Sequence, residues 1–461
     1  MPAAVPLLVS WACAAVLLGG FGLAGLRADR NHATGAIANA WLLAALLSAA
    51  MGMAQYFGHA QALGPWVSNV SAGEAYANLR QRNQFATLCS IGLLALLWRV
   101  AVWQPAPMAR QWLWWGPTVL LLACGNAASG SRTGLLQWWL VAGLGGLWWL
   151  VAGRARGGEQ AALGRCVVVA FGALAIYLLC LWLLPWLLLV TTGVESGGLM
   201  ARLQEDVGCG SRRVLWSNVL HLISLKPWWG WGWEELDYAH FMTLYPGERF
   251  CDILDNAHNL PLHLGVELGL PFTLLVCAGL GWLVVTARPW REGAPARQLA
   301  WGVLAAIGVH SLVEYPLWYG PFQMATGLCV WLLWRTRPTA GQPVPENGIH
   351  TQKMALAPVI TVFIAINIIA LLGFTSWSYW RVSQLYLPQA DRAAAYQQDA
   401  MGKLHGVRLF RNQVEFAELT TTPLSPDNAA HLHSLQQIVI GQTLLHCLHI
   451  AATKLQELLL L

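Results

Sequence analysis

The chain has 461 residues, of which 56% are hydrophobic and only 11% are charged. An ordinary soluble domain carries roughly twice this charge fraction, so a disordered chain, a coiled coil and a nucleic-acid-binding module are excluded. The net charge of +5 is too small to indicate a polyanionic partner. The ten cysteines show no metal-binding spacing, so a zinc module is excluded as well. We expect an all-α polytopic membrane protein.

Ten stretches reach the length of about 20 mostly apolar residues that a membrane span requires. They lie at 5–27, 35–53, 84–103, 111–129, 134–152, 164–190, 259–286, 298–315, 317–335 and 354–380. The first stretch lacks a basic leader, so we do not interpret it as a cleaved signal peptide, and a further upstream span is compatible with the sequence. The predicted parts are N-terminal spans (1–190), a large loop (191–258), C-terminal spans (259–380) and a tail (381–461).

The distribution of Lys and Arg predicts the orientation. Most of them lie in one set of alternate connections, whereas the short connections of the other set hold only Arg80, Arg82 and Arg132. The basic set should be cytoplasmic. The N-terminus, the loop at 191–257 and the tail from 381 then lie on the external side of the membrane. Most of the unusual polar residues fall on this external face, which a pure scaffold would not require.

The large loop contains an amphipathic segment at 211–225, whose apolar face we expect on the membrane surface. Four tryptophans follow between Trp228 and Trp233. They are typical of an interfacial aromatic belt, and they could also stack on sugar rings. Cys209 and Cys251 are the only cysteines of this loop, and either a disulfide or two buried thiols fit the pattern.

The loop ends at His258, where the next span begins. An imidazole titrates near working pH, so we interpret His258 as a general base that takes a proton from an attacking hydroxyl. Asn259 beside it could orient the ring or a substrate. Arg212 and Arg213 are candidate anion ligands because a guanidinium binds phosphate oxygens bidentately. For Arg213, contact with lipid headgroups is an equal alternative.

Further candidates are ionisable residues near the outer ends of spans. Arg132 follows small residues and could bind a diphosphate, or it could simply snorkel to the interface. His310 and Glu314 are four residues apart and precede Tyr315, so they form either a substrate site or a structural polar pair. His258 and His263 do not share a helix face, which argues against a metal site.

In this order and spacing, the motifs resemble the O-antigen ligase superfamily of membrane glycosyltransferases. The resemblance covers about Asn78 to Trp318. Its elements are Ser131–Arg132, the Arg-x-x-Leu-Trp run from Arg212, the Pro-x-x-Gly-x-Gly turn from Pro227, and His258-Asn259 with Gly269 beyond. The runs LRQRNQFATL, HSLVEYPLWYGPF and YWRVSQLYLPQADRAAAYQ are similar to one branch, the bacterial protein O-oligosaccharyltransferases that glycosylate pilins. Phe272 and the residues after about 433 depart from the usual pattern.

The resemblance implies an inverting transfer of an oligosaccharide from a polyprenyl-diphosphate carrier to a Ser/Thr hydroxyl of a pilin-like protein. The reaction would need neither metal nor other cofactor. The resemblance also implies a protein of the bacterial inner membrane whose active site faces the periplasm. His258 matches the catalytic base, while Arg212 and Arg132 match the arginines that hold the diphosphate. Tyr315 or Tyr319 matches a tyrosine of the protein-glycosylating branch, and Gln81 and Asn83 match its external polar motif.

Three other functions fit the sequence less well. Ligation of O-antigen to lipid A core, or polymerisation of repeat units, would use the same chemistry with another acceptor. A proton-coupled transporter or flippase could use the intramembrane His and Glu residues, but the chain lacks the internal repeats that are common in transporters. A membrane scaffold would depend on no single external polar residue.

Overall fold

The computed structural model describes residues 11–16, 30–64, 67–102, 108–152, 158–199, 208–336 and 356–440. All regular structure in these ranges is helical. The long helices are α1 (Arg30–Tyr56), α2 (Arg82–Val102), α3 (Met108–Ala128), α4 (Arg132–Ala152), α5 (Gly158–Thr192), α9 (Leu270–Ala287), α10 (Pro295–Ser311), α11 (Gly320–Arg335) and α12 (Leu356–Ser383). The large loop forms α6 (Arg212–Leu225), α7 (Leu236–Met242) and α8 (Leu260–Leu268), and the tail forms α13 (Ala400–Leu404), α14 (Arg411–Thr421) and α15 (Ala429–Ile440).

Six helical stretches are long and apolar enough to cross a membrane, so the chain is a multi-pass membrane protein. They are Ala33–Tyr56, Arg82–Val102, Arg132–Ala152, Gln160–Thr192, Leu270–Arg291 and Val362–Tyr386. Of the ten predicted spans, 5–27 lies largely outside the described residues. The spans predicted over α3, α10 and α11 are not among these six and stay predictions. Helices α10 and α11 have 17 and 16 residues, which is shorter than a typical span of about 20 residues.

Helix α2 forms the centre of the bundle because its sequence is apolar on every side. Its most apolar window is 78% buried, whereas those of α9 and α12 are only 6% and 11% buried. Close packing around α2 depends on small residues. Gly92 faces Ala45 of α1 so tightly that a Cβ at this position would overlap it. Since α9 and α12 expose apolar faces, they are the helices that lipid would cover.

The sequence predicted that the apolar face of the amphipathic helix α6 lies on the membrane surface. This prediction is wrong, because the face is buried inside the protein. Leu215, Val219 and Leu222 are fully buried in a small core of the loop itself, together with Phe250 and Leu254. The loop therefore folds on its own apolar core. Several of its other apolar side chains remain exposed, namely Leu220, Leu225, Trp228, Trp229, Trp233 and Leu244.

The span predicted at 259–286 is interrupted at Gly269, which separates α8 from α9. Gly269 has a φ of +84°, a conformation that glycine adopts without strain. The backbone of the turn at 226–232 packs directly against this break. Trp231 donates to the carbonyl of Val266 (2.8 Å), and Leu270 donates to the carbonyl of Pro227 (2.8 Å). The short helix α8 is thus fixed to the loop rather than continuing as part of one span.

Gly230 and Gly269 approach each other's backbones at this crossing. A Cβ on Gly230 would overlap the carbonyl group of Glu267, and a Cβ on Gly269 would overlap that of Trp228. Both glycines also have positive φ. The glycines of the Pro-x-x-Gly-x-Gly turn and the distant Gly269 are therefore needed for the same backbone contact. This contact sets the position of α8 and of the residues before it.

We expect Gly269→Ala to destabilise the protein, because it combines a backbone overlap with a left-handed φ that costs about 1–3 kcal/mol in a non-glycine residue. Thermal unfolding of the detergent-solubilised protein, followed by size-exclusion chromatography, measures the effect. Gly281→Ala in α9 is the matched control, since nothing lies within 4 Å of its Cβ position. Equal melting temperatures for the two variants would contradict this account of the crossing.

Candidate active site

A disulfide holds the first turn of α6 beside the end of the loop. Cys209 and Cys251 are bonded, with their Cα atoms 5.4 Å apart. Ser211 caps α6 by accepting a hydrogen bond from the backbone amide of Val214 (3.3 Å). Arg212 is the first residue of the helix. The disulfide and the cap together fix the backbone at the start of α6, and so the position from which the side chain of Arg212 extends.

His258 lies in the turn before α8, in a left-handed conformation with φ of +50°. Such a conformation is unfavourable for a non-glycine residue and persists when neighbours hold it. Its backbone amide donates to Oδ1 of Asn256 (2.8 Å). The indole of Trp216 donates to the carbonyl of Ala257 (3.0 Å). These two bonds tie the turn to itself and to α6, so the imidazole has a defined position.

Glu314 lies at the centre of the site. Helix α10 ends at Ser311, and Glu314 follows in the next turn with a side chain that is only 8% exposed. Its Oε1 accepts from Nη2 of Arg212 (2.5 Å) and from Nδ2 of Asn83 (3.1 Å). Its Oε2 lies 2.6 Å from Nδ1 of His258. One carboxylate therefore joins three side chains that come from distant parts of the sequence.

The tautomer of His258 follows from this geometry. Nδ1 lies 2.6 Å from Glu314 and also 2.8 Å from Nη2 of Arg212, and a single ring nitrogen cannot serve both as donor and as acceptor. An ionised carboxylate only accepts, so the proton lies on Nδ1 and points to Glu314. The guanidinium donates to the same carboxylate. In the neutral imidazole this places the lone pair on Nε2, as a general base requires.

The starts of α2 and α4 form the opposite wall of the site. Asn83 donates to Glu314 through Nδ2, while its Oδ1 accepts from the hydroxyl of Ser131 (2.6 Å). The same hydroxyl accepts from the backbone amide of Gly134 (3.0 Å) and so caps α4. Arg132 directly follows Ser131, and its side chain is exposed. The polar motif of α2 and the Ser131–Arg132 pair thus meet the loop at one place.

Two aromatic rings extend from the site along the chain after Glu314. The ring of Tyr315 packs edge-on against the imidazole of His258, with centroids 4.8 Å apart. Tyr319 stacks on Tyr315 at 5.7 Å. Of these two candidates, Tyr315 is the one in contact with the proposed base. The contact adds an apolar side to an otherwise polar cluster.

Several other predicted site residues lie near the cluster around Glu314 or have contacts of their own within the protein. Gln81 accepts from the backbone amide of Gln84 (2.9 Å) at the start of α2. Asn259 caps α8 by accepting from Leu262 and donates to the carbonyl of Leu312 (2.8 Å). Arg213 is exposed on α6, where Arg212 points into the site. A role for these three residues in substrate binding stays a prediction.

His310 is buried within the bundle, one turn before Glu314. Its Nδ1 lies 2.9 Å from the hydroxyl of Thr87, which already donates to the carbonyl of Asn83 and accepts from Gln137. The His310 ring is therefore the donor, and it links α10 to α2. His310 therefore contacts Thr87 through this nitrogen, whereas Glu314 contacts His258. The two residues do not lie side by side on one helix, because α10 ends between them.

A second histidine of the loop belongs to the loop core. His240 is buried between the hydroxyl of Tyr245 (2.8 Å) and the carbonyl of Phe250 (3.2 Å). Burial, with a smaller contribution from the nearby Arg249, lowers the pKa of His240. Burial also raises the pKa of Tyr245 to about 12. Both groups are neutral at neutral pH, so this pair packs the loop without adding charge to the site.

Sequence reasoning selected Glu314 as one of several substrate ligands and missed its position between Arg212 and His258. These partners lie 102 and 56 residues away, so no local pattern indicates the pairing. The available signal was a carboxylate next to an aromatic run on the external side. Within the described ranges, no group of three His, Cys, Asp or Glu side chains could hold a metal ion.

Comparisons with known proteins match the parts of the chain that form this site. The O-Antigen ligase family matches residues 117–277, a protein glycosylation ligase family matches 75–100, and the C-terminal part of a virulence factor membrane-bound polymerase matches 298–442. The General O-oligosaccharyltransferase of Acinetobacter baylyi is 24% identical over 343 residues. That alignment covers 73% of this chain and 57% of the length of the relative. No solved structure matches the chain.

The three family matches lie in chain order and divide the site between them. The first in sequence contains Asn83, the second contains Arg212 and His258, and the third contains Glu314. The residues that the fold brings together are thus drawn from all three matches. Together, the matches support a relationship to the O-antigen ligase superfamily, and within it to the protein O-oligosaccharyltransferase branch.

Proposed function

We propose that this protein transfers an oligosaccharide en bloc from a polyprenyl-diphosphate carrier to a Ser or Thr hydroxyl of a periplasmic protein such as a pilin. The observation that carries the proposal is the contact of Glu314 with both His258 and Arg212. It brings a proton acceptor and a fixed cation to one place. The transfer needs both, one for the incoming hydroxyl and one for the departing diphosphate.

In the proposed reaction, Nε2 of His258 accepts the proton of the acceptor hydroxyl while the oxygen attacks the anomeric carbon of the first sugar. The bond between that carbon and the diphosphate oxygen breaks, and its electron pair leaves with the polyprenyl diphosphate. A single displacement from the face opposite the leaving group inverts the configuration. Glu314 holds the ring in the productive tautomer and balances the charge that His258 gains.

Arg212 stabilises the leaving group in this scheme. Its pairing with Glu314 uses Nη2, which leaves the donors on Nε and Nη1 for diphosphate oxygens. A guanidinium fixed before the reaction stabilises the developing negative charge more effectively than a mobile one. Arg132, exposed at the start of α4, is the second proposed ligand of the diphosphate. The scheme uses no metal ion.

A carrier-linked glycan is the second candidate acceptor, because residues 298–442 match the C-terminal part of a membrane-bound polymerase. In that case the attacking hydroxyl would belong to the non-reducing end of another carrier-linked glycan. The chemistry at His258 would be unchanged. Protein transfer remains the proposal, since the match at 75–100 is to a protein glycosylation ligase and includes the wall residue Asn83.

The test is a reconstituted transfer assay with the purified protein, a polyprenyl-diphosphate-linked oligosaccharide and a purified pilin. A mass shift of the pilin by one complete glycan, with release of polyprenyl diphosphate, is expected. Parallel reactions replace the pilin with lipid A core or with excess donor. Glycan on lipid A core, or lengthened carrier-linked glycan, without any pilin product would overturn the proposed acceptor. No product from any acceptor would count against the transferase itself.

We expect Arg212→Lys to lose most of the transfer activity, because a lysine ammonium cannot hold Glu314 and a diphosphate oxygen in the same fixed geometry. Loss of one such stabilising group typically costs about 10²–10³ in rate. Initial rates of pilin glycosylation at saturating donor measure the effect. Arg213→Lys is the matched control on the next position of α6, where the side chain is exposed. Unchanged turnover of Arg212→Lys would show that Arg212 acts only as the ion-pair partner of Glu314.

A further inference from the structure

A second polar cavity of about 320 Å³ lies on the far side of the wall formed by the starts of α2 and α4. Its volume falls at the lower end of the range of small-molecule sites, about 300–1,000 Å³. Four parts of the chain line it: the end of α1 with the connection that follows, the first residue of α2, the end of α3 with the following turn, and the outer part of α5 with residues 195–199.

The cavity and the His258 site share one wall. Arg82 lines the cavity, and the next residue, Asn83, donates to Glu314 in the site. In the same way, Gly130 lines the cavity, and the next residue, Ser131, donates to Asn83. The hydroxyl of Ser129, another lining residue, accepts from the amide of Ser131 (3.2 Å). The cavity and the His258 site are therefore adjacent, and at both places they are separated by one step along the chain.

Hydrogen bonds within the protein hold the lining of the cavity in place. Ser196 donates to the carbonyl of Gly73 (3.3 Å), and the amide of Gly198 donates to Ser196 (3.3 Å). The amide of Gly73 in turn donates to the carbonyl of Tyr56 at the end of α1 (2.8 Å). These bonds join the two loops of the cavity to the bundle. A site whose walls are already ordered costs little conformational entropy on binding.

The chemistry of the lining selects against a diphosphate and for a sugar. Arg82 is paired with Glu74 (3.4 Å) and donates to the hydroxyl of Tyr76 (2.6 Å), so its charge is already balanced. Glu195 adds a further negative charge at the exposed edge. The hydroxyls of Ser71, Ser129 and Ser196 and the backbone of the glycine turns offer donors and acceptors alike. Sugar hydroxyls need this mixture, whereas a phosphate would meet excess carboxylate.

We infer that this cavity binds a saccharide unit of the oligosaccharide donor, beyond the first sugar that reacts at His258. The inference rests on the proposed transfer and adds a specificity site to it. Binding energy from such a remote unit accelerates the reaction only for donors long enough to reach the cavity. The protein should therefore discriminate donors by the length and identity of the glycan rather than by the carrier alone.

Two variants test this inference, and each has a matched control. Ser71→Trp fills the cavity from its exposed edge, with Ser217→Trp on the exposed side of α6 as the control. Glu195→Gln removes one acceptor charge, with Glu248→Gln at an exposed position elsewhere in the loop as the control. Initial rates are measured with two donors, a polyprenyl diphosphate bearing one monosaccharide and the same carrier bearing the full oligosaccharide.

We expect Ser71→Trp to lower the rate with the oligosaccharide donor about tenfold or more, and to leave the rate with the monosaccharide donor within about twofold. Glu195→Gln should act in the same direction, more weakly, and both controls should match the wild type. Equal losses with the two donors, or a raised KM for the pilin alone, would overturn the saccharide assignment and indicate an acceptor site. If the wild type transfers neither donor, the proposed function itself fails.

Discussion

Replacement of His258 by alanine is expected to abolish transfer and to leave the fold intact. General base catalysis contributes about 10²–10⁴ in rate, and an unactivated hydroxyl is a weak nucleophile. The turn should keep its position in this variant, because Asn256 and Trp216 hold it through backbone atoms of residues 258 and 257. The expected loss in the rate of pilin glycosylation at saturating donor is about 10²–10⁴-fold.

The control for this change is His59→Ala, at an exposed histidine near the end of α1 that lies outside the cluster around Glu314. This control should retain the wild-type rate. Thermal unfolding should show similar melting temperatures for all three proteins, which separates a chemical effect from a folding defect. Substantial turnover by a well-folded His258→Ala protein would refute the assigned base and leave Glu314 or a water molecule to be tested in that role.

Replacement of Glu314 by glutamine should cost nearly as much, although glutamine has almost the same shape. The amide oxygen can still accept from Arg212 and Asn83, but its NH₂ group would then face Nδ1 of His258. That nitrogen would have to accept, so the proton would move to Nε2 and the base would be lost. Loss of the orienting carboxylate in a comparable triad costs up to about 10⁴ in rate.

A double-variant cycle distinguishes this role from a merely structural one. Because Glu314 acts through His258, the double variant His258→Ala, Glu314→Gln should be no slower than His258→Ala alone. Nitrogen NMR of labelled imidazole should report the change of tautomer in Glu314→Gln directly. Glu248→Gln, on the exposed side of the loop, is the matched control. Additive losses in the cycle would show that Glu314 contributes independently of His258.

Loss of Glu314 should also destabilise the protein. Its side chain is almost buried, and it links α2, α6 and the turn before α8. Glutamine keeps two of these three bonds, whereas alanine keeps none and leaves Arg212 unpaired. Glu314→Ala should therefore lower the melting temperature more than Glu314→Gln does, by an amount set by the lost charge-assisted bonds of about 1.5–3 kcal/mol each. The comparison separates the stabilising role from the catalytic one.

The sequence by itself determined the class of protein and the residue types of the site. Composition and apolar length predict a multi-pass helical membrane protein, because hydrocarbon requires long apolar helices. His258 and Arg212 could be selected because few side chains accept a proton near neutral pH or bind a diphosphate bidentately. The spacing of their motifs was sufficient to indicate the family. These properties are encoded locally, in single residues and short runs.

The tertiary structure alone decided which of these residues act together. Glu314 and Asn83 are 231 residues apart and meet only because α10 ends at Ser311 and α2 begins beside it. Gln81 and Asn259 were predicted as ligands from the sequence, and this stays a prediction, while the structure shows that their side chains cap α2 and α8. A polar side chain near a helix start has the same pattern in both roles, and only its neighbours in space distinguish them.

The same reason explains the two differences in the fold. The interruption at Gly269 is invisible in an apolar run, because it depends on the distant backbone of Trp228 lying against it. The apolar face of α6 fits a membrane surface and a protein core equally well by periodicity. The structure covers it with Phe250 and Leu254, which the disulfide between Cys209 and Cys251 brings near. Periodicity predicts that a face is buried, whereas the tertiary contacts decide what buries it.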